Sequence, residues 1–157
     1  MQYRLAIKKD AKRLFNLLEE VQALHATGRP DIFVKGASKY SVNEIENIIE
    51  NEQTPIFVAV NSENKIMGYA FCSIEISTNS NNLQPIKTLY IDDLCIDKSL
   101  RRQGEGEKLY KYVLKRAKDF GCYHLTLNVW NLNEGALKFY EKVGMKPLKI
   151  TMEQIIE

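Results

Sequence analysis

Arg101, Arg102, Gly104 and Gly106 stand together at the start of a helical pattern, in the stretch LRRQGEGEKLY from Leu100 to Tyr110. Glycines one residue apart let the backbone approach a ligand closely and adopt φ values that other residues avoid. Where such a turn opens a helix, its unpaired N–H groups and the helix dipole favour an anion. The two arginines reinforce that preference, whereas Glu105, between the glycines, carries the sign of the anion itself. The pattern is not a Walker loop, because no Gly-Lys-Ser/Thr follows. It also lacks the third glycine and the preceding βαβ unit of a dinucleotide fingerprint. It points to an anion held by main-chain amides and leaves open which one.

The strand expected just before this loop, from about Ile86 to Ile96, contains a phase error. Leu89 and Ile91 share one parity, and Leu94 and Ile96 the other. Strand side chains alternate with period two, so all four can face one core only if a residue is inserted near Asp92-Asp93. A β-bulge there leaves backbone polar groups unpaired and available to a ligand.

The elements that must hold these two features can be read from periodicity. Gln2 to Ile7 is expected as a strand, followed by a helix capped by Asp10, with Leu14, Leu17, Leu18, Val21 and Leu24 on its inner face. Gly28 and Pro30 end that helix, and Ser41-Val42-Asn43-Glu44 is a capping box for a second. Pro55–Val60 and Ile66–Ile76 read as a hairpin, and Ser77–Asn82 as a loop. After the glycine loop, Leu109, Val113, Ala117 and Phe120 mark a helix closed by Gly121. A strand with Tyr123, Leu125, Leu127 and Val129 inward follows. Next comes a helix capped by Asn133, with Ala136, Leu137, Tyr140 and Val143 inward, closed by Gly144 with Pro147 beyond. A final strand or two is expected in Leu148–Ile156. The fold class is mixed α/β, a largely antiparallel sheet with flanking helices, and the 157 residues are expected to form a single domain.

Composition narrows the function classes. A formal net charge of +2, with basic and acidic residues interleaved, gives no case for nucleic acid or an anionic membrane as a partner. No apolar run approaches the ~20 residues of a membrane span. Cys72, Cys95 and Cys122 are widely spaced and form no CxxC, so no metal is expected and the thiols read as buried and reduced, which makes cytoplasm the expected location.

The segment Arg101-Arg102-Gln103-Gly104-Glu105-Gly106 resembles the Q/R-x-x-G-x-G/A acyl-CoA loop of the GNAT superfamily of N-acetyltransferases. The segment from Asn133 to Met145 resembles that family's N-x-x-A-x-x-F-Y-x-x-x-G-F/M helix, and the element order agrees over nearly the whole chain. The resemblance implies acetyl-CoA as donor substrate and an amine-bearing small molecule or peptide as acceptor, with homodimers common. The donor's pyrophosphate would rest on the amides of Arg101, Arg102, Gln103, Gly104, Glu105 and Gly106. Its pantetheine would lie along Leu94, Cys95 and Ile96, within reach of Asn133. Glu105 departs from the aliphatic residue usual there. Either it swings to solvent or pairs with Arg101, Arg102 or a nearby lysine, leaving the site intact, or it weakens the site.

Direct transfer to an amine needs a base, an oxyanion donor and an acid. Tyr140 matches the family's acid, and the N–H of Leu94 or Cys95 at the bulge is the expected oxyanion donor. Asn128 stands where some relatives carry a carboxylate base; Asp92 and Asp93 are the remaining carboxylates beside the expected thioester, and Asp93 is the preferred candidate base, with Glu75 behind it. The alternative is a non-catalytic acyl-CoA-binding or sensor domain that has lost its base. His25 and His124 are read as structural, and Cys95 as no nucleophile.

Overall fold

A computed structural model describes residues 1–77 and 81–156, apart from the side chain of Leu24. Part of the expected Ser77–Asn82 loop, and the inward placing of Leu24, therefore lie outside the described residues. Five strands make one sheet in chain order: β1 (Gln2–Leu5), β2 (Ile56–Val60), β3 (Ile66–Ile76), β4 (Lys87–Ile96) and β5 (His124–Leu127). β1 to β4 are antiparallel neighbours, and β5 lies parallel to β4. The expected mixed, largely antiparallel architecture is therefore present.

Alternation along the strands sorts side chains into two cores. Ile56, Val58, Val60, Tyr69 and Phe71 face α1 (Ala11–Gly28) and α2 (Val42–Glu50), where Leu14, Leu17, Leu18 and Ile45 meet them. Phe57, Ala59, Ala70, Cys72, Leu89 and Ile91 face the opposite way, toward α3 (Glu105–Asp119) and α4 (Glu134–Lys142). β2 is buried on both faces, as its unbroken apolar run IFVAV requires. The capping box of α2 is present: Ser41 Oγ accepts from the Glu44 amide at 3.2 Å, and Glu44 Oε2 accepts from the Ser41 amide at 2.7 Å.

Several expectations are corrected. Asp10 does not cap α1. A short 3-10 turn, Lys8–Asp10, precedes the helix and gives Asp10 helical dihedrals, so its carboxylate reaches back instead. There it accepts from the Ile7 amide at 2.9 Å and from Arg4 at 2.6 and 3.2 Å. Tyr123 is 77% exposed, because the chain enters β5 beyond the end of α3, and Leu137 also faces outward. Phe139, Tyr140 and Val143 form the inner face of α4. The strand expected in Leu148–Ile156 is absent, since a strand needs a ladder partner and this segment makes no backbone pairing among the described residues.

Asp10 is buried, so truncating it leaves Arg4 and the Ile7 amide without their acceptor. Asp10→Ala is expected to lower unfolding free energy by roughly 2–3 kcal/mol, measured by urea denaturation. A loss within ~0.5 kcal/mol, typical of an ordinary surface position, contradicts this account.

Candidate active site

The ladder between β3 and β4 pairs Phe71 with Asp93 and Cys72 with Ile91, leaving Asp92 as the inserted residue. The bulge thus falls where the phase error requires it. Ile91 faces α3 and Asp93 lies beside Tyr69 on the α1–α2 side, while Leu94 and Ile96 return to the α3–α4 side.

At the same point β4 parts from β5. Their parallel pairing runs from Thr88–His124 to Ile91–Leu127 and stops, while β4 continues to Ile96. The Asp97 amide donates to Met67 of the β3 side at 2.8 Å. Amides alternate in direction along an antiparallel strand. Asp93 and Cys95 therefore turn their N–H groups toward β3, and Leu94 and Ile96 turn theirs to the side that β5 has left. This separates the two candidate oxyanion donors: the amide turned away from the β3 ladder is that of Leu94. Arg101 Nε reaches the Ile96 carbonyl at 3.2 Å.

Beyond β4, Asp97 accepts from Ser99 in a short turn and from Arg13 of α1 at 2.6 Å, which fixes the start of the glycine loop. Gln103 Nε2 closes the loop on the Ser99 carbonyl at 2.9 Å. Arg102 and Gly104 both have positive φ, 63° and 80°, a costly conformation for arginine that turns the amides between them. From Arg102 through Glu107 no backbone N–H donates to a protein acceptor among the described residues, and the first helical bond is Lys108 to Gly104 at 3.2 Å. Glu105 pairs with Lys108 at 2.7 Å and accepts from the Tyr3 hydroxyl at 3.1 Å, with a side chain only 13% exposed. The nearby lysine, rather than Arg101 or Arg102, is its partner. Lys108 holds its carboxyl below the usual range, and Tyr3 is pushed up to about 12 by burial and by this carboxylate.

Gly106 ties the loop to α4 and β4. A methyl group on it would meet the Phe139 ring at 3.4 Å and the Ile96 side chain at 3.6 Å. Phe139 and Tyr110 flank Tyr140, with ring centroids 5.1 and 6.5 Å away. The Tyr140 hydroxyl makes no hydrogen bond among the described residues, and burial, then Asp93, raises its pKa well above the ordinary value. Asn133 accepts from the Ala136 amide at 3.1 Å as the N-cap of α4.

On the other face Asp93 keeps a partly accessible surface, yet desolvation pushes its carboxyl up to about 6. Lys39, the Tyr69 hydroxyl at 3.2 Å and the Leu94 amide pull it back, while Asp92 pushes with desolvation. Asp92 accepts from Lys39 at 2.6 Å and from Tyr40 at 3.3 Å. Tyr40 itself stacks on Phe71. Lys39, Tyr40 and Tyr69 were not among the sequence candidates. Tyr69 carried a readable signal, since its parity places it on Asp93's face, but the Lys39 contact depends on a loop path that no periodicity encodes.

Glu75 is not brought to this cluster. It pairs across from Thr88, before the bulge, and accepts from Ser73 at 3.1 Å. Asn128 donates to the Tyr90 hydroxyl at 3.2 Å. His25 packs against Phe33 with its ring tilted, Phe33 meets Trp130 edge-on, and His124 contacts Thr88 at 2.7 Å. Burial pushes the Cys95 thiol up to about 11, so it is not a thiolate near neutrality.

The fold is similar to that of a point mutant of the BH1408 protein from Bacillus halodurans. That structure superposes with a TM-score of 0.94 at 27% identity over 100% of both chains. Residues 18–145 match the Acetyltransferase (GNAT) family, and the chain belongs to it. The peptidyl-lysine N-acetyltransferase YjaB of Escherichia coli (strain K12) is 30% identical over 105 residues, covering 66% of this chain and 58% of that protein. The thialysine N-epsilon-acetyltransferase of Bos taurus is 30% identical over 83 residues, 53% of this chain and 46% of that protein. The chain thus spans about half the length of these relatives.

The seam beside the open edge is tight on the β3 side. A methyl on Gly68 would lie 2.5 Å from Ile96 Cδ1 and 3.0 Å from the Cys95 carbonyl oxygen, which cannot yield without moving the strand. Gly68→Ala is expected to cost about 1–3 kcal/mol, whereas Gly106→Ala, meeting only ordinary contacts, is expected to cost about 1 kcal/mol or less. Thermal denaturation of both variants checks the contrast, and equal costs refute it.

Proposed function

We propose that the chain is an N-acetyltransferase that moves an acetyl group directly from acetyl-CoA to a primary amine of a small molecule or peptide. The observation that carries this reading is the open edge of β4, with Asp93 on one face and Tyr140 on the other. The names of the relatives, acting on thialysine and on peptidyl lysine, support an amine as acceptor.

The unpaired amides from Arg102 to Glu107 suit the donor's pyrophosphate, as does the positive end of the α3 dipole. Lys108 pairs with Glu105, and Lys111 and Lys142 pair with Glu107, the other carboxylate of that turn, which removes the main objection to an anion there. The pantetheine arm would extend the sheet along Leu94, Cys95 and Ile96, where β5 has left the edge. Asn133 spends its side-chain oxygen on its helix, and its amide nitrogen remains for the arm.

The acceptor amine enters from the α1–α2 side. An alkyl ammonium, with a pKa near ~10.4, must lose a proton before it attacks. Asp93 takes that proton, and its raised pKa makes it a stronger base than an ordinary carboxylate. The nitrogen then bonds to the thioester carbon, and the carbonyl electron pair moves to the oxygen facing the Leu94 amide. On collapse the C–S bond breaks and the leaving sulfur takes the Tyr140 proton. Tyr140 recovers a proton from the nitrogen, giving the amide and free CoA. Lys39, seated on Asp92, holds an ammonium beside Asp93 and so tunes the base without reacting.

Calorimetry with CoA, followed by an amine panel scored by thiol release, tests the reading. CoA bound without release from any amine would leave the non-catalytic acyl-CoA-binding alternative. Tyr140→Phe keeps the ring and removes the donor, so kcat is expected to fall about a hundredfold with CoA affinity unchanged; unchanged turnover refutes the acid.

The pH dependence of kcat/KM is expected to show an acid limb near pH 6, where Asp93 ionises. Lys39→Met removes a charge that lowers this pKa, so the limb should move to higher pH. Asp93→Asn should abolish the limb and cut the rate by about 10²–10⁴. It should also raise neutral-pH stability. Asp93 binds its proton more tightly folded than unfolded, so its stabilisation is complete below its ordinary value of 3.8 and is lost as pH rises through about 6. A limb that ignores both substitutions removes Asp93 from the reaction.

A further inference from the structure

Lys39 brings an alkyl ammonium of the protein's own to the side from which the acceptor amine enters. Its Nζ lies 2.6 Å from Asp92 Oδ2 and 5.6 Å from the centroid of the Tyr40 ring. The Tyr40 hydroxyl donates to the same carboxylate oxygen at 3.3 Å. Tyr40 stacks on Phe71, which meets Tyr69 edge-on, and the Tyr69 hydroxyl donates to Asp93. Lys39 and Asp92 are thus charged neighbours of Asp93 on the α1–α2 side, and both act on its carboxyl. Two carboxylates against one lysine leave a single negative charge for an incoming amine. Charges further out on α1 and the loop after it have partners of their own. Glu20 pairs with Lys98, Arg29 with Asp31 and Glu153, and the exposed Glu19 accepts from Ser38. Burial and Lys39 lower the pKa of His25, so its ring adds no cation near neutrality.

A tethered ammonium is hard to displace. The Lys39 side chain is 37% exposed, so its ion pair alone is a modest attraction. The pair is intramolecular, however, and a short tether corresponds to an effective concentration in the millimolar range. The Tyr40 ring adds a cation–π contact. A free amine below that concentration therefore meets Asp92 already occupied. A second ammonium on the same acceptor then faces Lys39 with no carboxylate to itself, and like charges repel strongly where the surroundings are partly desolvated.

We propose that Lys39 sets the charge class of the acceptor: the site takes an amine whose substituent a few carbons from the reacting nitrogen is neutral or anionic, and rejects one that carries a second ammonium there. The inference rests on the transfer reading above and goes beyond the tuning of Asp93. Tuning the base acts alike on every acceptor, whereas a fixed cation beside it distinguishes one acceptor from another.

The probes are propanolamine, β-alanine and diaminopropane, which match in length and differ in the charge of the far end. Thiol release from acetyl-CoA at neutral pH should give a kcat/KM for the first two about tenfold or more above that for diaminopropane. Lys39→Met keeps much of the stem and removes the charge, which frees Asp92 for the second ammonium. In that variant the preference should fall about tenfold and vanish or invert. The accompanying change in the Asp93 pKa moves all three rates together and cancels from the ratio. Asp92→Asn, with Lys39 kept, should still disfavour diaminopropane, which separates the cation from its ion pair. Wild-type protein that uses diaminopropane as well as propanolamine, or a ratio unmoved in a Lys39→Met variant of unchanged circular dichroism, overturns the inference and leaves the transfer reading standing. Bound CoA with no release from any amine removes the transfer reading and this inference with it.

Discussion

The single inserted residue at Asp92 is the constraint from which the rest of the site follows. A regular strand could not keep Leu89, Ile91, Leu94 and Ile96 in one core, because its side chains reverse at every step. With Asp92 inserted, all four pack toward α3 and α4, and Asp93 falls next to Tyr69 on the other face. A bulge also bends and over-twists its strand, and β4 leaves β5 directly after Ile91. One extra residue thus places a carboxylate on one face, keeps the apolar wall on the other and turns the Leu94 amide toward the side that β5 has left.

That arrangement carries a cost which neighbouring residues limit. A carboxylate among Tyr69, Phe71 and Tyr40 is poorly solvated, and its raised pKa measures the destabilisation of its charged form. The Tyr69 hydroxyl and the Lys39 ammonium offset part of it without abolishing it. A direct ion pair would return the Asp93 carboxyl toward its ordinary pKa. The direct ion pair goes to Asp92 instead, so Lys39 acts on Asp93 from one residue further away.

How much of this was legible depended on whether the signal was local. α2 was readable because its capping box closes within four residues, β2 and β3 because their β-branched and aromatic runs flank a polar turn, and β4 because its alternation survives in the chain itself. The bulge could be read for the same reason: a break in period is visible wherever a period is. Asp10 misled because Asp before a helical pattern looks like a cap, and nothing local reveals the intervening turn that aims it at Arg4. Tyr123 misled because alternation gives a face without saying whether anything covers it. The partners of Asp92, Lys39 and Tyr40, come from more than fifty residues earlier and could be found only in space.

The glycine loop shows how a local motif can depend on distant support. Its amides are useful to a ligand only if they stay aligned while unpaired, and positive φ at Arg102 is not a conformation arginine holds unaided. Three contacts restrain it: Gln103 bonds Ser99 across the loop, Arg13 of α1 holds Asp97 at its start, and Phe139 of α4 packs on Gly106 at its end. Glu105 belongs to the same scheme. Between Tyr3 of β1 and Lys108 one turn on, its carboxylate is committed inside the fold and faces a cation before any ligand arrives. The residue that looks least suited to an anion site therefore fastens the first turn of α3 to the far edge of the sheet. The helix dipole is left to act on whatever occupies the loop.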